Sequence, residues 1–170
     1  NTDGRKTTSP ILTERACKFQ AGTVSACNVS PCLERKGIVA SPGLKIQDGK
    51  LLVAARNRAG QQVTLQFNQA DDTKRFMKDG KVYEASFMIK GHAASLPIYL
   101  VEGLATGVSI WLALEQQADV LACFSAGNLL PVAKAVRSKY PKREIIVCAD
   151  NDRYTPGNPG FSKALEAAKV

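Results

Sequence analysis

No run in this 170-residue chain approaches the roughly 20 consecutive apolar residues that a membrane-spanning helix needs. Residues 1–10 are polar and carry no apolar core, which argues against a signal peptide there. Histidine occurs once, at His92, remote in sequence from Cys17, Cys27 and Cys32, and those three show no C-x-x-C spacing. That pattern argues against a zinc site. Five cysteines, an odd count without a secretion signal, fit a reducing cytoplasm. Cys123 and Cys148 lie inside apolar runs and read as buried thiols. Position 1 is Asn1 rather than methionine, so the chain reads as a piece of a longer protein.

Acid is also scarce: 23 Lys and Arg stand against 15 Asp and Glu, for a net charge of +8 and a sequence pI of about 9.4. The excess is uneven. Residues 1–97 hold 15 basic against 8 acidic residues, a balance of +7, and residues 98–170 hold 8 against 7, a balance of +1. A basic front half beside a near-neutral half suits a polyanionic partner. The plainer reading is a solvated basic surface. The length and the 45% hydrophobic content allow one or two modest domains.

In chain order, residues 1–29 read as a flexible or weakly helical lead-in, with a helix at 11–20. Residues 30–37 read as a short helix, with Ser30 as N-cap, Pro31 at the first helical position and Gly37 at the stop. Arg35 and Lys36 would be exposed on it. Residues 43–47 and 50–56 flank Asp48-Gly49, a tight-turn signal. Strands are expected at 61–67, 73–77 and 85–89, completing a small antiparallel unit rich in Lys and Arg. Residues 91–97 read as a connector. From Ile98 the pattern turns to alternating strands and helices: strands at 98–101, 119–125 and 144–149, and helices at 104–117, 129–140 and 161–170. Leu104, Val108, Trp111 and Leu112 share one face of the first of these helices. Alternation of this kind argues a parallel sheet. The chain stops in or just after a helix, so a further strand is expected beyond it.

The chain is organised around Ile98-Tyr99-Leu100-Val101-Glu102-Gly103. Four apolar residues closing on a carboxylate and a glycine read as a strand buried on both faces. A second such run, 144–149, breaks into Asp150-Asn151-Asp152. In open α/β sheets ligands bind at the carboxyl ends of the strands. Parallel strands would gather Glu102, Asp150 and Asp152 at that edge. Carboxylates facing one another raise each other's pKa, and a hard cation relieves the repulsion. Ordinary helix capping is the competing explanation, although Glu is a poor N-cap.

Val101-Glu102-Gly103 and Ala149-Asp150-Asn151-Asp152 resemble the two signatures of the Toprim domain of topoisomerases and primases. Leu104-Ala105-Thr106-Gly107, Cys123-Phe124-Ser125-Ala126-Gly127-Asn128-Leu129 and Gly157-Asn158-Pro159-Gly160 further resemble Toprim primases of plasmids, phages and integrated elements. Cys32-Leu33-Glu34-Arg35-Lys36-Gly37-Ile38 is similar to the helix that opens the RNA-polymerase core of bacterial primases. Residues 51–66 with Lys74-Arg75-Phe76 resemble the sheet that follows it. Two features depart from replicative primases: Leu104-Ala105-Thr106 offers no second acid after Glu-Gly, and a longer loop, 153–160, follows Asp-x-Asp. Both occur in the mobile-element relatives. No zinc-ribbon or helicase motif is found in the sequence.

The resemblance implies an α/β fold: a parallel, Rossmann-like Toprim sheet flanked by helices at 98–170, truncated at its C-terminal end, preceded at 30–97 by a small mixed α+β basic subdomain rich in antiparallel strands. It implies template-directed synthesis of RNA primers on single-stranded DNA from ribonucleoside triphosphates. Glu102, Asp150 and Asp152 would be catalytic and would hold Mg²⁺ or Mn²⁺. Arg56 and Lys74, then Arg75 and Lys90, would meet triphosphate or template. A replicative helicase is a further expected partner; a membrane is not. A metal-dependent Toprim nuclease and a non-catalytic nucleic-acid-binding module stay open as alternatives.

Overall fold

The computed structural model describes residues 24–25 and 31–170. Cys17, Cys27, the expected helix at 11–20 and the rest of the lead-in lie outside the described residues, apart from the short strand β1 (Val24–Ser25).

The front half opens with α1 (Pro31–Arg35) and continues as β2 (Lys45–Gln47), β3 (Lys50–Arg56), β4 (Gln62–Asn68) and β5 (Lys74–Phe76). Strands β1 to β5 pair in sequence order, all antiparallel. The β2–β3 turn has positive φ at both Asp48 (49°) and Gly49 (70°), as a two-residue hairpin demands. The β3–β4 turn is closed by Asn57, whose Oδ1 accepts the amides of Ala59 and Gln61, each at 3.0 Å. Arg35 and Lys36, expected to be exposed at the end of α1, both pair with Asp72 in the β4–β5 turn, Arg35 remaining exposed and Lys36 partly buried.

The second sheet holds β6 (Phe87–Ile89), β7 (Ile98–Val101), β8 (Asp119–Ala122) and β9 (Ile145–Val147) in the order β6-β8-β7-β9. β7 runs parallel to both β8 and β9, and β6 runs antiparallel to β8. Helix α2 (Leu104–Ala113) links β7 to β8, α3 (Leu129–Lys139) links β8 to β9, and α4 (Pro159–Ala167) follows β9. The chain steps from β7 to one side and then crosses back over it to the other. Right-handed crossovers in opposite directions must lie on opposite faces. Accordingly α2 packs with Phe87, Ile89, Val101 and Val120, whereas α3 and α4 pack with Ile98, Leu100, Leu121 and Cys123. Gly107 lets α2 lie close on the sheet, since a Cβ there would come 3.1 Å from Val101 Cγ2. The α2 face also receives Leu33, Ile38, Leu44, Leu51 and Val53, so one apolar core joins both sheets.

Several expectations are corrected. The strand expected at 85–89 does not extend the front sheet. Its alternating Phe87 and Ile89 are buried in the joint core, and it edges the second sheet. Its backbone meets the front sheet through the Arg56–Ser86 bridge, with reciprocal N–H to O distances of 2.9 and 3.0 Å. Helix α2 stops at Ala113 rather than 117, and Glu115 and Gln116 take left-handed backbone (φ 51° and 63°). Leu112 is exposed near the end of the helix instead of sharing the buried face. β9 is half-buried rather than buried on both faces, because among the described residues it is an edge strand.

Candidate active site

Glu102 follows β7 directly, and Asp150 and Asp152 follow β9, its parallel neighbour. The chain leaves β7 toward α2 on one face and leaves β9 toward α4 on the other. The acids thus flank a topological switch point, the position where open α/β sheets take ligands. Val101 is fully buried, whereas all three acids are partly exposed. Apolar strand ends hold the carboxylates at the rim of the core.

Burial raises the Glu102 carboxyl above its ordinary value, and the charges of Asp150 and Asp152 add to the rise. The Ala126 amide, hydrogen-bonded to Glu102, and the Lys74 charge pull the other way. The sheet therefore gathers the three acids into one electrostatic group. Among the described residues no group of three or more acidic, thiol or imidazole side chains is arranged to hold a metal ion by itself. The donor set is nevertheless all hard oxygen, which suits Mg²⁺ or Mn²⁺ drawing the rest of its shell from water and phosphate. Asp152 Oδ2 accepts the Gly160 amide at 3.0 Å, which ties it to the start of α4. Neither nearby thiol suits nucleophilic chemistry. Burial drives Cys123 far up, and Cys148, half-buried rather than buried, is raised by burial and by Asp150.

The four basic candidates separate. Lys74 stands opposite Asn68 on β5 and faces the acids, its charge acting on Glu102. With Lys36, Asn68, Leu104 and Ala105 it lines a recess of about 20 Å³. Arg75 pairs with Phe67, and strand alternation turns it to the other face of the front sheet. Lys90 lies at the opposite, amino-terminal edge of β8, where it pairs with buried Asp119 at 3.0 Å beside Arg143 at 2.7 Å. Arg56 donates to Gly60 O at 3.0 Å. With Arg58, Met88, Lys139 and Tyr140 it borders a cavity of about 180 Å³ beside α3. The structure brings together Glu102, Asp150, Asp152 and Lys74, and not Arg56, Arg75 or Lys90.

Two contributors lie in the 123–129 motif, to which the sequence reading assigned no structural role. Buried Asn128 donates from Nδ2 to Val82 O, Ala85 O and Cys123 O at 3.1, 2.8 and 2.8 Å, and its Oδ1 accepts the Glu84 amide at 3.0 Å. It staples residues 82–85 to the loop that carries Ala126. Phe124, with φ 72°, meets Phe76 of β5 edge to face at 5.3 Å between centroids, joining the carboxyl end of β8 to the front sheet. An Asn after a glycine and an aromatic after a strand are too common to announce such roles.

Residues 97–170 match the Toprim domain family. Two proteins of Escherichia coli, each named DNA primase TraC, are similar to the chain. One is 38% identical over 151 residues, which is 83% of this chain and 14% of that protein. The other is 34% identical over 166 residues, 92% of this chain and 11% of that protein. The chain thus spans a small fraction of the length of these relatives. Among solved structures, the primase fragment of the bacteriophage T7 primase-helicase protein superposes with a TM-score of 0.58 at 17% identity, covering 87% of this chain and 62% of that one. The fold is therefore shared with a primase fragment. Residues 97–170 thus match the Toprim domain family, and the chain is similar over most of its length to a segment of the two proteins named DNA primase TraC.

Proposed function

We propose that this chain is part of the catalytic core of a DNA primase of the plasmid type, a nucleotidyltransferase that builds RNA primers on single-stranded DNA. The observation that carries the reading is the trio Glu102, Asp150 and Asp152 at the switch point of a Toprim sheet, with Lys74 set against it. Similarity to two DNA primases over most of the chain supports it. The basic unit 30–97 and the Toprim unit 98–170 would share the work, with β6 reaching from the first into the sheet of the second.

In that reaction a primer 3′-hydroxyl attacks the α-phosphate of a ribonucleoside triphosphate and pyrophosphate leaves. Positioning and charge stabilisation dominate such transfers. Glu102, Asp150 and Asp152 would hold Mg²⁺ or Mn²⁺, which when bound supplies activation of the hydroxyl and neutralisation of phosphate charge. Glu102, with its raised pKa, is suited to take the hydroxyl proton. Lys74 would meet the triphosphate or the template phosphates. Partnership with a replicative helicase belongs to the same proposal, in keeping with the name of the T7 primase-helicase protein. Among the described residues no helix is long and apolar enough to cross a membrane, and a cytoplasmic setting follows from the reaction proposed.

The test uses the full-length protein, single-stranded DNA and labelled ribonucleotides. Divalent-dependent RNA products are expected, with about a hundredfold or greater loss in Asp150→Asn. Metal-dependent DNA degradation without primers would mark a nuclease instead, and neither activity would leave a binding module.

A further inference from the structure

Tyr154, two residues beyond Asp152, is 86% exposed, the most exposed large apolar side chain among the described residues. Arg153 lies over one face of its ring, with the guanidinium carbon 4.7 Å from the centroid. The loop that displays the pair is tied down. The Thr155 amide donates to Asp152 O at 2.7 Å and the Asn158 amide to Thr155 O at 2.9 Å. Asn158 Nδ2 donates to Asn151 Oδ1 at 3.0 Å, and Ser162 Oγ to Gly157 O at 2.8 Å. An exposed aromatic on an anchored loop has no core to serve. A cation on one face of its ring leaves the other for a flat partner carrying negative charge nearby, the description of a nucleotide in a single strand.

We infer that Tyr154 is a stacking platform for a base of the single-stranded DNA template, with Arg153 backing the ring and meeting the adjoining phosphate. The inference rests on the proposal that the acidic edge acts on nucleic acid, and deepens it by placing the template on the β9–α4 side. Stacking tolerates any base, since every base has a π-face, so the contact positions the strand without reading its sequence.

The experiment uses full-length protein without divalent metal, so that no chemistry intervenes. Tyr154→Trp places an indole on the loop, while Trp111 stays buried at 4% exposure. Fluorescence is read as the difference from wild type. Oligothymidylate is expected to quench this difference signal to saturation, and an abasic oligonucleotide of equal length is not. Tyr154→Ala is expected to bind oligothymidylate about fivefold or more weakly, and Tyr154→Phe as wild type. Wild-type affinity in Tyr154→Ala, or equal quenching by the abasic strand, would overturn the inference. So would quenching by ribonucleoside triphosphates but not by the oligonucleotide. Because the titration involves no synthesis, stacking can fail while primer formation stands, and the reverse.

Discussion

A buried carboxylate and a partly buried one, at opposite edges of the same sheet, sit under opposite electrostatic regimes. Burial pushes Asp119 up, but the Gly91 amide, Lys90 and Arg143 outweigh it and hold the acid below its ordinary value. Glu102 is raised, first by burial and then by Asp150 and Asp152. A depressed acid stabilises the fold above its unfolded value and loses that contribution as pH falls through its native value. A raised acid does the reverse: its protonated form favours the fold, and that contribution fades as pH rises through the native value. Ionised Glu102 is thus a liability at neutral pH in the absence of metal. Glu102→Gln is expected to melt at a higher temperature than wild type at pH 8 in chelator, with the gap shrinking toward zero below pH ~4. Thermal melts across pH check this. A variant less stable at pH 8, or an offset independent of pH, would contradict it. A stabilising loss of this kind is expected of a residue kept for chemistry.

At the scale of elements, the β9–α4 connection carries more of the site than its loop-like sequence suggests. Gly160 packs so closely that a Cβ would fall 2.5 Å from Asp150 O and 2.8 Å from Asp152 Oδ2. Its amide holds that same oxygen. Gly160→Ala should displace both aspartates and weaken Mn²⁺ binding about tenfold, as loss of groups that orient metal ligands commonly does. Mn²⁺ titration of the full-length variant gives the answer, and unchanged affinity would mean that the turn does not set the acids. The grouping of the acids was legible in sequence because two apolar runs, ending at Val101 and Ala149, each break into acid. The turn was not, because close backbone approach at Gly160 depends on where α4 begins. Strand β6 was misassigned for a related reason: the alternation Phe87-Met88-Ile89 announces an edge strand but says nothing of which sheet it edges.

Over the whole molecule, the uneven charge of the sequence is only partly converted into a site. Lys74 comes to the acids, whereas Arg56 borders the cavity beside α3, Arg75 turns to the other face and Lys90 serves Asp119. For Lys74 and Arg75 strand register decided the outcome, through the pairing of Lys74 with Asn68 and of Arg75 with Phe67, and composition carries no register. The proposed division of labour assigns chemistry to the acidic edge and phosphate contact to the wall that carries Lys74. Primer synthesis by full-length Glu102→Gln, measured beside its affinity for single-stranded DNA, tests that division most directly. The account predicts that synthesis falls about a hundredfold or more while affinity holds or tightens, since negative charge has left the cleft. Full synthesis by Glu102→Gln, or parallel loss of synthesis and DNA affinity, would contradict it.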